Sequence, residues 1–219
     1  MRFTVLFLTL ISYLPLTAQT ASGTIQTTGN ASVNVTPDQA QLTLSVVTNG
    51  STAQAAAQQN ATLANAVIAA VTSVLGTSGT VQTVGYSIYP QYSYGAVVGY
   101  SASNSLLITT TDLTLPGKLI DAASQAGANN VGNLTFGLQN PDPPRQQALT
   151  AAAKVGLAHA AAIAAGLGAK AGAVVSAEES SSVTPVAVPG VVAGAAATPV
   201  VSGTVSVSAT VTVTVQLTQ

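Results

Sequence analysis

Few side chains in this sequence can act as a general base, a nucleophile or a metal ligand. His159 is the one histidine, and there is no cysteine. A histidine working as a base needs a carboxylate to orient it, and one binding a metal needs further ligands. The acids nearest to it in sequence are Asp142 and Glu178, and His159 stands mid-helix among alanines, so a structural imidazole is expected. Without cysteine, a Cys/His zinc site, an iron–sulfur ligand set, a thiol nucleophile and a disulfide framework are all excluded. Glu178 and Glu179 look like a carboxylate pair, but neighbours on a strand point to opposite faces and cannot share a proton. Asp142 and Arg145, three apart at a helix start, suit an N-cap and an i,i+3 pair. No Ser/His/Asp order and no G-x-S-x-G elbow is present. The expectation is a protein that is not an enzyme, with no catalytic, metal or cofactor-binding residues.

The tyrosines are the one unusual cluster. Tyr86, Tyr89, Tyr92, Tyr94 and Tyr100 are five of the six in the chain, within fifteen residues. Tyr89, Tyr92, Tyr94 and Tyr100 are the candidate binding residues, because such rings give contact area at low entropic cost. The competing reading is a loop pinned to its own sheet by ring packing.

Charge narrows the partners. The 219 residues include 5 Lys+Arg and 6 Asp+Glu, a net charge of −1 and 5% charged residues. An average domain carries about 25%. Nucleic acid is excluded as a main ligand, since each neutralised phosphate needs a Lys or Arg. Hydrophobic content of 47% is enough for a folded core.

Met1-Arg2 precede an apolar run, Phe3 to Leu16, with Pro15 and the small residues Thr17 and Ala18 behind it. This reads as a signal peptide over 1–18, cleaved after Ala18, Thr20 or Ala21. The run is shorter than the ~20 residues that span a bilayer. No cysteine follows it, so a lipoprotein anchor is excluded. Ala158 to Ala169 reads as a packed helix, and Val183 to Gly203, with Pro185, Pro189 and Pro199, as a Pro/Gly/Ala loop rather than a span. The mature chain is therefore expected in a periplasm or outside the cell, or associated with an outer membrane, without a transmembrane segment.

The elements that position the tyrosines follow from periodicity. Thr24 to Val35 and Gln41 to Val47 alternate as strands around Pro37-Asp38. Ser51 opens a capping box with Gln54, and a helix runs from about Thr52 to Leu75. Val81 to Tyr89 and Tyr100 to Leu113 are strands separated by a loop, Pro90 to Gly99, and Pro116 opens a helix that Gly127 ends. After Val131 to Leu138, a third helix spans about Pro143 to Leu167, with Asp142 as N-cap and a stripe of Leu149, Ala153, Gly156, Ala160, Ile163, Ala164 and Leu167. Val174 to Ser182 and Thr204 to Leu217 complete the strands. The last alternates strictly, and its fourteen residues exceed the usual strand, so it should bend or cross between sheets.

In order and spacing, these segments resemble the SIMPL domain family, also called DUF541. The resemblance rests on Val84 to Tyr94, Gly99-Tyr100-Ser-Ala-Ser-Asn104, Asp112-Leu113, Leu119-Ile120-Asp121-Ala122 and Gly127-Ala128-Asn129. It continues with Asp142, Arg145, Ala148-Leu149 and Thr198-Pro199-Val200, covering about Gly29 to the C-terminus. It implies an α+β fold, antiparallel β-sheets covered by about three helices over 24–219, an exported location and a tendency to self-assemble. It implies no reaction.

Two functions remain. One is an exported, non-enzymatic protein acting by self-association, as a homo-oligomer, or by binding an envelope protein or polymer. The other is a periplasmic binding module for a small molecule or envelope polymer that uses the tyrosine-rich loop. The polar face of the last strand carries no Lys or Glu to guard an edge, so a second copy is expected to cover it.

Overall fold

The computed structural model describes residues 23–186 and 198–219. The expected signal peptide and the middle of the Pro/Gly/Ala loop lie outside them. The fold is α+β, as expected: the described residues form seven strands in two antiparallel sheets, with three helices.

A four-stranded sheet has the order β3-β4-β2-β5, with β2 at Gln39–Gly50, β3 at Gly79–Ser93, β4 at Ala96–Thr110 and β5 at Asn130–Gly137. Alternation along β2 puts Ala40, Leu42, Leu44 and Val46 on one face, where Leu106 and Ile108 of β4 join them. Helix α1 (Ala53–Leu75) lays Ala64, Val67, Val71 and Leu75 on that face, and α2 (Pro116–Gln125) adds Leu119 and Ala123. Each large aliphatic side chain so buried contributes roughly 1.5–3 kcal/mol. Asn60 of α1 is buried too, because its amide donates to the carbonyls of Val46 and Ala102 at 2.8 and 3.1 Å and ties the helix to two strands. Thr52, not Ser51, caps α1: its hydroxyl accepts from the Ala55 N–H at 3.1 Å.

The second sheet has the order β1-β7-β6, from Thr24–Val35, Thr204–Thr218 and Lys170–Val186. Helix α3 (Asp142–Gly166) crosses it through Ala148, Ala152, Gly156, Ala160 and Ala164, a ladder at every fourth residue. Expected stripe members Ile163 and Leu167 are exposed instead, and Leu149 is half-buried. The cause is how close helix and sheet come: a Cβ on Gly29 of β1 would run into the Ala152 carbonyl oxygen and the Gly156 nitrogen. Only Ala and Gly fit there. Thr27 adds a buried bond from its hydroxyl to the Gly156 carbonyl at 2.7 Å. Asp142 is the first residue of α3 rather than its cap, while its carboxylate does accept from Arg145 Nη1 at 3.3 Å.

Three further expectations need correction. The long C-terminal strand neither bends away nor changes sheet; it runs the length of its sheet as the central strand, and the irregularities fall in its partner β6. Both its edges are therefore paired inside one chain, by β1 and β6, so no second copy covers them. Its polar face is laced by cross-strand bonds, Thr28 to Thr212 at 3.2 Å, Ser32 to Ser208 at 2.9 Å and Thr210 to Asn30 at 2.7 Å. The expected loop at 183–203 begins late, because Val183 to Val186 continue β6 opposite Val207 to Thr204. Pro185 is tolerated there since β6 is an edge strand.

Candidate functional site

The Pro90 to Gly99 segment is not a loop. β3 continues to Ser93 and β4 begins at Ala96, leaving a two-residue turn at Tyr94-Gly95. Both have positive φ, 47° and 84°, the turn geometry whose twist matches paired strands. Pro90 fits because β3 is an edge strand. Glycine takes such a conformation freely; tyrosine does so at a cost.

β2 ends at Gly50, opposite Tyr100, and α1 starts beside Gly50. Beyond that point β3 and β4 pair only with each other and form an arm. Tyr92 is 66% exposed, and Tyr94 at the tip is fully exposed. Val97 and Val98 are exposed beside them. One side-chain bond braces the base of the arm, from the Gln91 amide to Asn49 Oδ1 at 3.1 Å.

Register decides how the tyrosines share this hairpin. Thr48 bonds the Ala56 carbonyl of α1 and pairs with Ala102, so Ala102 faces α1, and Tyr100, two residues away, faces the same side. Tyr86, opposite Asn104, is on that side too. Tyr89, opposite Ser101, faces away. The four candidate rings thus line no single platform; Tyr92 and Tyr94 are joined at the arm, while Tyr89 and half-buried Tyr100 flank its base on opposite faces.

A second feature was not legible as a site. At the seam between the sheets, Leu134 and Phe136 of β5, Pro185 of β6, and Pro199, Val200 and Val201 ahead of β7 line an open cleft of about 400 Å³. Thr198-Pro199-Val200 stood out in the sequence, but nothing there tied it to Phe136. The tie is Asp121 of α2, whose carboxylate accepts from the Thr198 N–H at 3.1 Å and its hydroxyl at 2.6 Å.

The remaining chemistry-bearing residues are occupied locally. His159 is exposed, and its Nδ1–H donates to the Thr28 carbonyl at 3.2 Å, a main-chain partner and not a carboxylate. Glu178 and Glu179 lie opposite Thr212 and Val211 on β6 and so on opposite faces. Asp112 accepts from the Thr114 hydroxyl at 2.7 Å and the Thr114 N–H at 2.9 Å ahead of α2, and these bonds hold its carboxyl below the usual range. Among the described residues no three His, Cys, Asp or Glu gather as a metal site. By length and composition alone, α3 is apolar enough to cross a membrane, with mean hydropathy 1.5 over its best window, and its alanine ladder is packed on β1 and β7.

The SIMPL family profile, described as a protein of unknown function (DUF541), matches residues 25–215. The chain belongs to the SIMPL family. It is similar to the 26 kDa periplasmic immunogenic protein of Brucella melitensis biotype 1, 30% identical over 149 residues, 64% of this chain and 60% of that one. The protein of the same name from Brucella abortus strain S19 matches with the same identity and coverage. This SIMPL chain spans about three-fifths of the length of the curated relatives it matches.

Proposed function

We propose that this SIMPL chain is exported by a cleaved signal peptide and acts in the cell envelope, without catalysis, by associating first with copies of itself. The observation that carries this is the arm: from Gly79 to Thr111 there is no charged residue, and Tyr92, Tyr94, Val97 and Val98 stand in solvent. Contact between two such surfaces strips no ion of its water, and no like charges oppose it. Export is supported by the Arg2 to Ala18 pattern and by relatives that are named periplasmic. A non-catalytic role is supported by His159, the one imidazole, being bonded to a carbonyl.

The binding-module alternative asks for rings that face one ligand together, and Tyr89 and Tyr100 face opposite ways. A ligand-panel thermal shift beside a native mass separates the two readings. Material from the periplasm is expected to begin between Gln19 and Ser22 and to sediment as more than one chain. An intact Met1 in a membrane pellet contradicts export, and a single-chain mass contradicts self-association.

A further inference from the structure

We infer that two copies of this chain join through β3, edge to edge and antiparallel, about a two-fold axis at Ser87, so that two four-stranded sheets become one of eight strands. This rests on the self-association proposed above and names its surface. An edge strand offers a row of N–H and C=O groups, and a second copy turned antiparallel meets each donor with an acceptor. The complementarity lies in the main chain, as when a peptide adds a strand to a sheet.

Among the described residues four strands are edges, and three of them are unsuited. β6 carries Lys170, Glu178, Glu179 and Pro185, the kinds of residue that guard an edge. β5 lies against β6 and β7 at the seam. β1 has α3 directly over it, backbone against backbone at Gly29, so a second copy there would bring two α3 helices inside the ~8–10 Å at which helices touch. β3 has fifteen residues and no charge, and no described strand pairs with its outer side. Its helix stands back from the edge. Asn60 of α1 bonds carbonyls of β2 and β4, so across a pair of β3 strands the two α1 helices are about four strand spacings, ~19 Å, apart at that level.

Pro90 decides which main-chain groups face the second copy. Its nitrogen cannot donate, so its pair with Tyr100 is one without main-chain bonds, and by alternation Ile88 and Tyr86 aim N–H and C=O away from β4. With the axis at Ser87, Tyr86 of each copy lies opposite Ile88 of the other and exchanges both bonds with it. Tyr89 then lies opposite Gly85, a ring over a bare glycine, which pins register. Edge pairing uses both faces of a strand, which suits tyrosines that face opposite ways. The overlap runs the length of β3 and carries Tyr92 and Tyr94 to the Gly79 end of the other strand.

The size fits a dimer. Tyr86, Tyr89, Tyr92 and Tyr94 are 53%, 62%, 66% and 109% exposed, and can bury roughly 430–730 Å² between them. Exposed Val84 and the main chain of a strand about 50 Å long supply the remainder of the ~800 Å² per partner that a stable interface needs.

The native chain has no cysteine, so one placed at the axis reports directly. Ser87→Cys is expected to oxidise to a covalent dimer in high yield, since Cα atoms facing each other there are about 4.5 Å apart, within disulfide reach. Tyr89→Cys, which faces Gly85 instead of itself, is expected not to. Ser87→Lys and Ser87→Glu, each shown folded by circular dichroism, are each expected to at least halve the native mass, because like charges meet at the axis. Mixed one to one, they restore the parent's mass by setting Lys against Glu. Amide exchange at Tyr86 and Ile88 is expected to be slow in the parent and at least tenfold faster in Ser87→Lys. An oligomeric parent whose mass survives both charged substitutions, and whose Ser87→Cys variant gives no covalent dimer, overturns edge pairing while self-association stands. Slow exchange that persists in Ser87→Lys after its mass has fallen means that the chain covers its own edge, and likewise overturns edge pairing. A monomeric parent overturns both.

Discussion

Single residues show where local chemistry is committed to holding the fold. The Asp112 carboxyl is lowered first by the Thr114 hydroxyl and then by the Thr114 N–H. A depressed acid of this kind supports the folded state above its unfolded value, and that support is lost as pH falls through the folded one. Thr114→Val removes the larger cause, so the Asp112 titration followed by carbon NMR should move up toward an ordinary carboxylate; no movement would mean that the hydroxyl is not the cause. Gly29 shows the opposite kind of constraint, backbone against backbone. Gly29→Ala forces β1 and α3 apart and is expected to cost about 2–3 kcal/mol or more in chemical denaturation. Gly156→Ala meets a movable Val213 methyl at 3.2 Å and gains about 1 kcal/mol of helix propensity, so its cost should be far smaller. Equal costs would refute the close crossing. His159, expected to be structural for want of an acidic neighbour in sequence, bonds the main-chain carbonyl of Thr28. The burial of Asn60 was not legible in the sequence, because its partners are carbonyls of two strands distant in sequence.

Elements were legible wherever one face alone was apolar. β2 and β7 follow their alternation, and α1 its helical spacing, because period and burial coincide. The readings failed where other contacts decided. Alanine-rich α3 offers several similar stripes, and the crossing at Gly29 selects the one without Ile163 or Leu167. Proline suggested loops at Pro90 and Pro185, yet both lie on edge strands. The tyrosines read as one cluster because sequence spacing does not reveal that strand alternation sends Tyr89 and Tyr100 to opposite faces. The turn supports a prediction of opposite signs. Tyr94→Asn suits a positive φ better and should stabilise the folded chain by up to about 1 kcal/mol, while removing the ring that the arm presents. Denaturation and native mass, measured together, should therefore rise and fall respectively; a stabilised variant of unchanged mass would detach Tyr94 from association.

At the scale of the whole molecule, two helix-covered sheets meet along a seam where β5 lies beside β6 and β7, and Asp121 holds Thr198 across to α2. Their cores differ: mostly Leu, Ile and Val under α1 and α2, mostly Ala and Val with the single Ile25 under α3. Asp121→Ala is expected to raise hydrogen exchange at Thr198 while leaving the Leu44 and Leu106 amides of the first core protected; equal loss at all three would mean that the seam and that core open as one unit. Across both halves, only 5% of residues are charged, so a folded chain has little to keep copies apart. Self-association is the central claim, and sedimentation equilibrium of the mature chain at low and high salt tests it most directly. A mass of two or more chains, little changed by salt because the contact is uncharged, is the expected result. A single-chain mass at every concentration measured would contradict it.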